Sequence, residues 1–260
     1  MTALEYDVAD HVATIRLNRP QKRNAFTFEM VNDWADRLVD AQADPEVRVI
    51  VVTGAGSGFC SGIDLSWVED HEQAPLEFKQ ALTHHIHRVP LALEGIDKPV
   101  IAAVNGDAMG AGLDMALMCD VRLVSTTARM AMSYVKVGLV PGDGGCWLLP
   151  RLIGMPRALE LLWTGDMIGA ERAAELGMVN SVHGPDQLMD ATYALAARLA
   201  SAPPVAVRMI KRTAYQSQRL DFRTSLDLIS SHMGVVRSTE DSVEAYRAFT
   251  EKRPGKYVGR

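Results

Sequence analysis

The 260-residue sequence is short of cysteine, of basic charge and of long apolar runs, and each shortage removes a class of function. Its only cysteines are Cys60, Cys119 and Cys146. They are odd in number, far apart and without a C-x-x-C spacing, so neither a disulfide framework nor a cysteine zinc site is indicated. A reducing cytoplasm is the compartment that fits. No stretch reaches the roughly 18–20 uninterrupted apolar residues that a membrane helix needs. The first ten residues carry acids where a secretory signal would have a basic region and then an apolar run. Lys and Arg number 27 against 32 Asp and Glu, a net charge of −5, which argues against a nucleic-acid coat. Hydrophobic residues at 48% and charged residues at 23% fit an ordinary globular chain with a substantial core.

What is present alternates between strand-like and helix-like stretches. Residues 4–8 and 12–17 read as paired strands around an Asp10-His11 turn. Thr27 is placed to cap a helix to about Asp40, with Met30, Trp34 and Leu38 on one face. The run 47–52 (VRVIVV) has the continuous apolar character of a strand buried on both faces, and 99–104 and 121–124 repeat it. A helix is expected from about Ala111 to Met118. Strands alternating with helices predict parallel βαβ units. Beyond Pro141 the chain reads as helical over 147–153, 158–163 and 170–176, each closing near a glycine (Gly154, Gly165, Gly177). A short strand over 179–182 comes next, then helices over 186–200, 205–230 and 240–251. Pro203-Pro204 marks the natural boundary, giving an α/β core over residues 1–200 and a helical part over 201–260.

Glycines concentrate in three loops beside buried strands: residues 54–65, 106–114 and 138–145. Glycine allows close backbone approach to a ligand. The first loop lacks the Gly-Lys-Ser/Thr ending of a P-loop and the G-x-G-x-x-G register of a dinucleotide site, and it also reads as a plain surface turn. The second runs straight into an apolar helix, whose first turn presents unpaired N–H groups. The Ala111 amide there can meet a developing oxyanion, and a second donor from another loop would complete an oxyanion hole.

These residues carry a resemblance to the enoyl-CoA hydratase/isomerase (crotonase) family. It runs almost end to end: Leu17-Asn-Arg-Pro20 with Asn24-Ala25; Phe59–Leu65; Asn105-Gly106 with Gly110–Asp120; Val137–Gly145; Leu149–Gly154; Leu162–Gly165; and Ala248–Arg253. Each motif is weak, but their order and spacing are specific. The resemblance implies a crotonase-like spiral of ββα turns with a C-terminal helical trimerisation region, a homotrimer or a dimer of trimers. It implies an acyl-CoA thioester substrate, with coenzyme A part of that substrate and no cofactor or metal. It places the oxyanion hole at the amides of Ile63 and Ala111. It places substrate contacts at Lys22, Arg23, Ala25, Ser61, Gly62, Ile63, Asp64, Leu65, Ser66, Gly110 and Ala111. The implied reaction is hydration of a 2-enoyl-CoA; double-bond isomerisation, acyl-CoA hydrolysis and a catalytically silent CoA-binding role are the alternatives.

The acid/base residues depart from the family pattern. Where hydratases carry two glutamates, this sequence has Asp114 and Tyr134. A phenol with an ordinary pKa of about 10 is a donor at neutral pH, suited to holding a water or the acyl group. Asp143, in the third glycine loop, is the candidate second acid/base; it reads also as a cap for the helix at Trp147. Asp114 reads as catalytic or as an acid favouring the dipole of its helix. Asp64 reads as ordering its loop.

Other features have plainer readings. On a regular helix His84 and His87 share a face, but no further metal ligands accompany them, so a channel-facing or exposed helix is expected. The methionines at 109, 115, 118, 130 and 132 read as core or acyl-pocket lining. Cys60 has no adjacent base and reads as packing. Finally, Arg247, Lys252, Arg253, Lys256 and Arg260 face only Glu251, a local +4 at the C-terminus. With Lys22 and Arg23, this tail is placed by the resemblance near the CoA phosphates; a solvated tail is the plainer alternative.

Overall fold

A computed structural model describes residues 2–64, 66 and 74–260. The chain begins with the hairpin β1 (Leu4–Ala9) and β2 (Val12–Leu17), paired antiparallel from Leu4 opposite Leu17 to Ala9 opposite Val12. Helix α1 (Phe28–Ala43) opens where expected, with Thr27 Oγ1 accepting the Met30 amide at 3.3 Å. It buries Met30, Trp34, Leu38 and Ala41 at helical spacing.

From there the chain makes repeated turns of one long strand, one short strand and a helix. The long strands β3 (Val49–Gly54), β5 (Val100–Val104), β7 (Val121–Ser125) and β10 (Ser181–His183) join the hairpin in a six-stranded sheet. Its order is β1-β2-β3-β5-β7-β10, parallel from β2 onward. The short strands β4 (Gly58–Cys60), β6 (Asp107–Met109), β8 (Arg129–Ala131) and β9 (Ile168–Gly169) form a second sheet in that order. They are too short to show periodicity, and β4 and β6 fall within stretches that read as glycine loops.

The helices that complete the fold are α2 (Pro75–Ala81), α3 (Arg88–Gly95), α4 (Ala111–Met118), α5 (Gly145–Ile153), α6 (Met155–Thr164) and α7 (Ala170–Glu175). After them come α8 (Leu188–Ala200), α9 (Pro204–Ser217), α10 (Phe222–Arg237) and α11 (Glu240–Glu251). The continuous apolar run of β3 is explained by its two covers. Ile50 and Val52 point into the main core with Trp34, Phe59 and Met115. Val49 and Val51 point the other way, against Leu188, Ala196 and Ala200 of α8. Each such side chain taken fully out of water contributes about 1.5–3 kcal/mol.

Two expectations need correction. The stretch 205–230 is two helices, not one. The chain turns at Gln218–Asp221, and Asp221 caps α10 through the Thr224 amide at 3.1 Å and hydroxyl at 2.6 Å. The apolar period runs through both helices because each packs a face, so periodicity alone hides the break. His84 and His87 do not share a face. Between α2 and α3 lies a π-helical turn, Leu82–Ile86, closed by the His87 amide donating five residues back to the Leu82 carbonyl at 2.8 Å. The extra residue rotates the next segment of chain by about 100° relative to α-helical register. His84 is left exposed and His87 is half-buried.

Candidate active site

The first and second glycine loops are pressed together. A Cβ on Gly112 would lie 2.1 Å from the Cys60 carbonyl oxygen, so α4 reaches the end of β4 only because residue 112 is glycine. At Gly62 the Ala111 nitrogen is only 3.4 Å from where a Cβ would stand. The loop that carries Ile63 therefore lies against the first turn of α4, where Ala111 stands. Phe26 bridges the loop by donating to the Gly62 carbonyl at 2.8 Å and accepting from the Asp64 amide at 2.9 Å, a bridge that leaves the Ile63 N–H out. Ala111 is the first residue of α4, so its N–H has no partner within the helix.

Lys22, Arg23 and Ala25 come to the same edge. The Ser61 amide donates to the Arg23 carbonyl at 3.0 Å, and the Ser61 hydroxyl reaches the Lys22 carbonyl at 3.4 Å. The Lys22 and Arg23 side chains are exposed. Asp64 fastens the loop: its Oδ2 accepts from Arg19 at 2.9 Å and its Oδ1 from the Ser66 hydroxyl at 2.9 Å. Those bonds, from Ser66 first and Arg19 second, hold the carboxyl below its ordinary range. Leu65 lies outside the described residues. Two further residues organise this edge. Arg19 also donates to the Ala25 carbonyl at 2.5 Å, and fully buried Asn24 donates to the carbonyls of Ala55 and Gly58. Both stand inside the Leu17–Ala25 motif, the only signal that marks them in the sequence. Cys60 is buried and its thiol is pushed up to about 12 by desolvation, in keeping with packing.

The acid/base candidates form one buried cluster. Asp114, fully buried on α4, and Asp143, in the glycine loop before α5, are joined through Tyr134 from the 3-10 turn Ser133–Val137. The phenol Oη is 2.7 Å from Asp114 Oδ2 and 3.1 Å from Asp143 Oδ2. One phenol proton can serve only one of these contacts, so the other contact is a hydrogen bond when a carboxyl carries a proton. The second oxygen of each aspartate is buried and has no hydrogen-bond partner among the described residues. Asp143 does not cap α5; the cap residue is Gly144, with no side-chain bond.

Burial is the main cause of every shift in this cluster. It raises Asp114 to about 7, offset by the Tyr134 bond, reinforced by the Asp143 charge, and offset again by the nearby amides of Gly145 and Asp143. It raises Asp143 to about 6, against the Tyr134 bond and the His87 charge. It also raises Tyr134 above its ordinary value, helped by both carboxylates, so the phenol remains protonated. Gly145 makes room for the cluster: a Cβ there would stand 2.3 Å from Asp114 Oδ1. The arrangement is a set of buried proton donors and acceptors on one wall, and α4 joins it to the paired amides, since Ala111 opens the helix and Asp114 lies one turn on.

The C-terminal tail folds back on its own helix. Arg253 forms a two-pronged ion pair with Glu244 at 2.6 and 3.0 Å, and also meets Glu251. Arg260 pairs with Glu240, and buried Asp241 accepts the amides of Val258 and Gly259. The local positive charge is thus countered by Glu240, Asp241 and Glu244, which lie just before the segment counted from the sequence.

Comparison with known proteins identifies the family. The enoyl-CoA hydratase/isomerase family model matches residues 7–260. The (E)-benzylidenesuccinyl-CoA hydratase of Thauera aromatica is 37% identical, with 97% of this chain and 98% of that protein covered. The short-chain-enoyl-CoA hydratase of Clostridium acetobutylicum is also 37% identical, covering 93% and 92%. The crystal structure of an enoyl-CoA hydratase from Bacillus anthracis superposes with a TM-score of 0.93 at 32% identity, covering the whole of both chains. The chain belongs to the enoyl-CoA hydratase/isomerase family, and its fold of ββα turns with C-terminal helices is that of the family's solved hydratases.

Proposed function

We propose that the protein hydrates a 2-enoyl-CoA, with Asp143 as base, Asp114 as acid and the amides of Ile63 and Ala111 holding the thioester oxygen. The observation that carries this reading is the buried Asp114–Tyr134–Asp143 cluster on the helix that begins at Ala111. The two carboxyls differ in acidity, so near neutral pH the more acidic Asp143 is ionised while Asp114 keeps more of its proton. Asp143 takes a proton from water as the water oxygen bonds to the β-carbon. The negative charge that moves onto the thioester oxygen is met by the two amides. Asp114 then delivers its proton to the α-carbon, and one water has been added. The cluster ends with its proton on Asp143, and the phenol between the carboxyls returns it to Asp114 by passing one proton on as it accepts another. Tyr134 alternatively holds the attacking water or the acyl group, as the sequence suggests.

Coenzyme A arrives as part of the substrate, and the exposed Lys22 and Arg23 beside Ser61 are the candidates to meet its phosphates. No separate cofactor enters this reaction. A homotrimer or dimer of trimers accords with the apolar side chains left exposed on the C-terminal helices, among them Phe222, Leu226, Met233 and Phe249. A cytoplasmic site accords with the three free cysteines, and no helix among the described residues is long and apolar enough to cross a membrane.

The test is turnover of crotonyl-CoA by wild type and Asp114→Asn, monitored by loss of enoyl-thioester absorbance and by product mass. Wild type should give a product heavier by one water, and the variant should lose about 10²–10⁴ in rate, the range of acid–base contributions. Undiminished turnover in the variant removes Asp114 from the mechanism. A product of unchanged mass with a moved double bond would make the protein an isomerase instead.

A further inference from the structure

We propose that His87 is a positioning residue: its Nε2–H anchors the Gly142 carbonyl, aims the adjacent Asp143 carboxyl at Tyr134, and sets beside it a ring able to carry positive charge. The proposal rests on the hydration reading for its consequence and on separate geometry for its existence. His87 Nε2 is 2.8 Å from the Gly142 oxygen. A carbonyl only accepts, so this ring nitrogen carries the proton in the neutral and in the charged imidazole alike. The bond therefore holds in both forms of the ring.

The way His87 reaches that position is itself informative. In an unbroken α-helix it would lie on the face of His84, which is exposed. The π-turn Leu82–Ile86 ends on His87, with its own amide closing the five-residue loop to Leu82. π-Turns lose regular hydrogen bonding and are frequent at functional sites. Here the turn does two things. It brings His87 onto the third glycine loop, and it seats His85 against α1, stacked on Phe28 at 4.6 Å with its Nδ1 3.0 Å from Asn32. Leu82 packs close to Gly142 as well, 3.7 Å from where a Cβ would stand. The loop before α5 thus meets both ends of the π-turn.

The titratable groups facing Asp143 among the described residues are Asp114 from α4, Tyr134 from the 3-10 turn, the Cys60 thiol from β4 and His87. Tyr134 and Cys60 are both held protonated, and Asp114 opposes ionisation of its neighbour when charged. His87 alone can supply a positive charge, and that charge favours the Asp143 carboxylate. The residue does not need to touch substrate to matter: it governs the pH at which the base is ready.

The experiment uses two variants and two readouts. His87→Gln keeps a donor for Gly142 and removes the charge; His87→Leu removes both. The first readout is ¹³C NMR of protein labelled at the aspartate carboxyl carbon, with the Asp143 signal identified by its loss in Asp143→Asn. In His87→Gln the Asp143 midpoint should rise by about one pH unit, and the acid limb of kcat for crotonyl-CoA should rise with it. His87→Leu should show the same rise and a further loss in kcat of about tenfold, with KM within about twofold of wild type. An Asp143 midpoint unmoved in His87→Gln overturns the proposal, as does a His87→Leu enzyme with wild-type kcat. If His87→Leu does not fold, as judged by circular dichroism, His87→Gln decides alone. The carboxyl titration needs no turnover. A wild type inactive on enoyl-CoAs would therefore sink the hydration reading while leaving this one to be judged by NMR.

Discussion

Replacing Tyr134 by Phe removes one oxygen from a buried cluster and leaves the ring in place, so it isolates what the phenol does. The oxygen lies 2.7 Å from Asp114 and 3.1 Å from Asp143 and lowers the pKa of both by donating to their charged forms. A hydrogen bond to a charged group contributes about 1.5–3 kcal/mol, which at about 1.4 kcal/mol per pH unit corresponds to one or two units for the carboxylate that accepts it. Near neutral pH that acceptor is the ionised Asp143, which without the bond rises from about 6 toward about 7–8. The base must be ionised to act, so the acid limb of kcat moves to higher pH. At pH 7 the ionised fraction of Asp143 falls from roughly nine-tenths to between a half and a tenth, a loss of about two- to tenfold. Loss of the return path for the proton adds about a hundredfold more, at the low end of a general acid–base contribution. Initial rates of crotonyl-CoA hydration from about pH 5 to 9 separate the two parts, because only the first recovers at alkaline pH. A folded Tyr134→Phe enzyme with an unmoved acid limb would refute the coupling argued from these distances.

Two further outcomes concern stability. Asp114 has its pKa raised from an ordinary 3.8 to about 7 by burial, so folding favours its protonated form. The wild type should therefore lose stability as pH rises from about 4 to about 7, where the unfolded chain ionises first. Asp114→Asn cannot ionise. Relative to wild type it should gain on the order of 1–4 kcal/mol between about pH 4 and pH 8, as read from urea midpoints at the two pH values. A difference that does not change with pH would show that the carboxyl is better solvated than its burial implies. Gly112→Ala should destabilise by about 1–3 kcal/mol or more, because its Cβ would lie 2.1 Å from a backbone oxygen of β4 that cannot rotate away. Thermal unfolding measures it, and a neutral substitution would mean that α4 can withdraw from the first loop without cost.

The parallel strands were legible because each is buried on both faces and so is written as an unbroken apolar run, as in Val49–Val52. The start of α1 was legible because a cap is a local event, made by Thr27 and an amide three residues on. The short strands of the second sheet were not. Two or three residues show no period, and their partners lie in distant parts of the chain, Gly58 against Asp107 and Arg129 against Gly169. The break at Gln218–Asp221 was hidden for the opposite reason: two helices carry one continuous apolar period across it.

The site divides the same way. The order of the motifs placed Ile63, Ala111 and Asp114 in view from the chain alone, because the glycines beside them record how closely two backbones approach. Tyr134 appeared only as a departure from a family pattern, and Asp143 as a candidate acid/base or a helix cap, with no sign that the two touch. The 3-10 turn, packed against α6, joined them by bringing Tyr134 to Asp114 on α4 and to Asp143 before α5 around one phenol. His87 was one histidine of a cluster until a π-turn, closed by a single backbone bond, rotated it onto Gly142. The sequence by itself determined the parallel strands and the close approach of the glycine loops, which depend on local pattern and on missing side chains. The tertiary structure decided which ionisable groups share a proton, because that depends on burial and on distances between segments that no local pattern encodes.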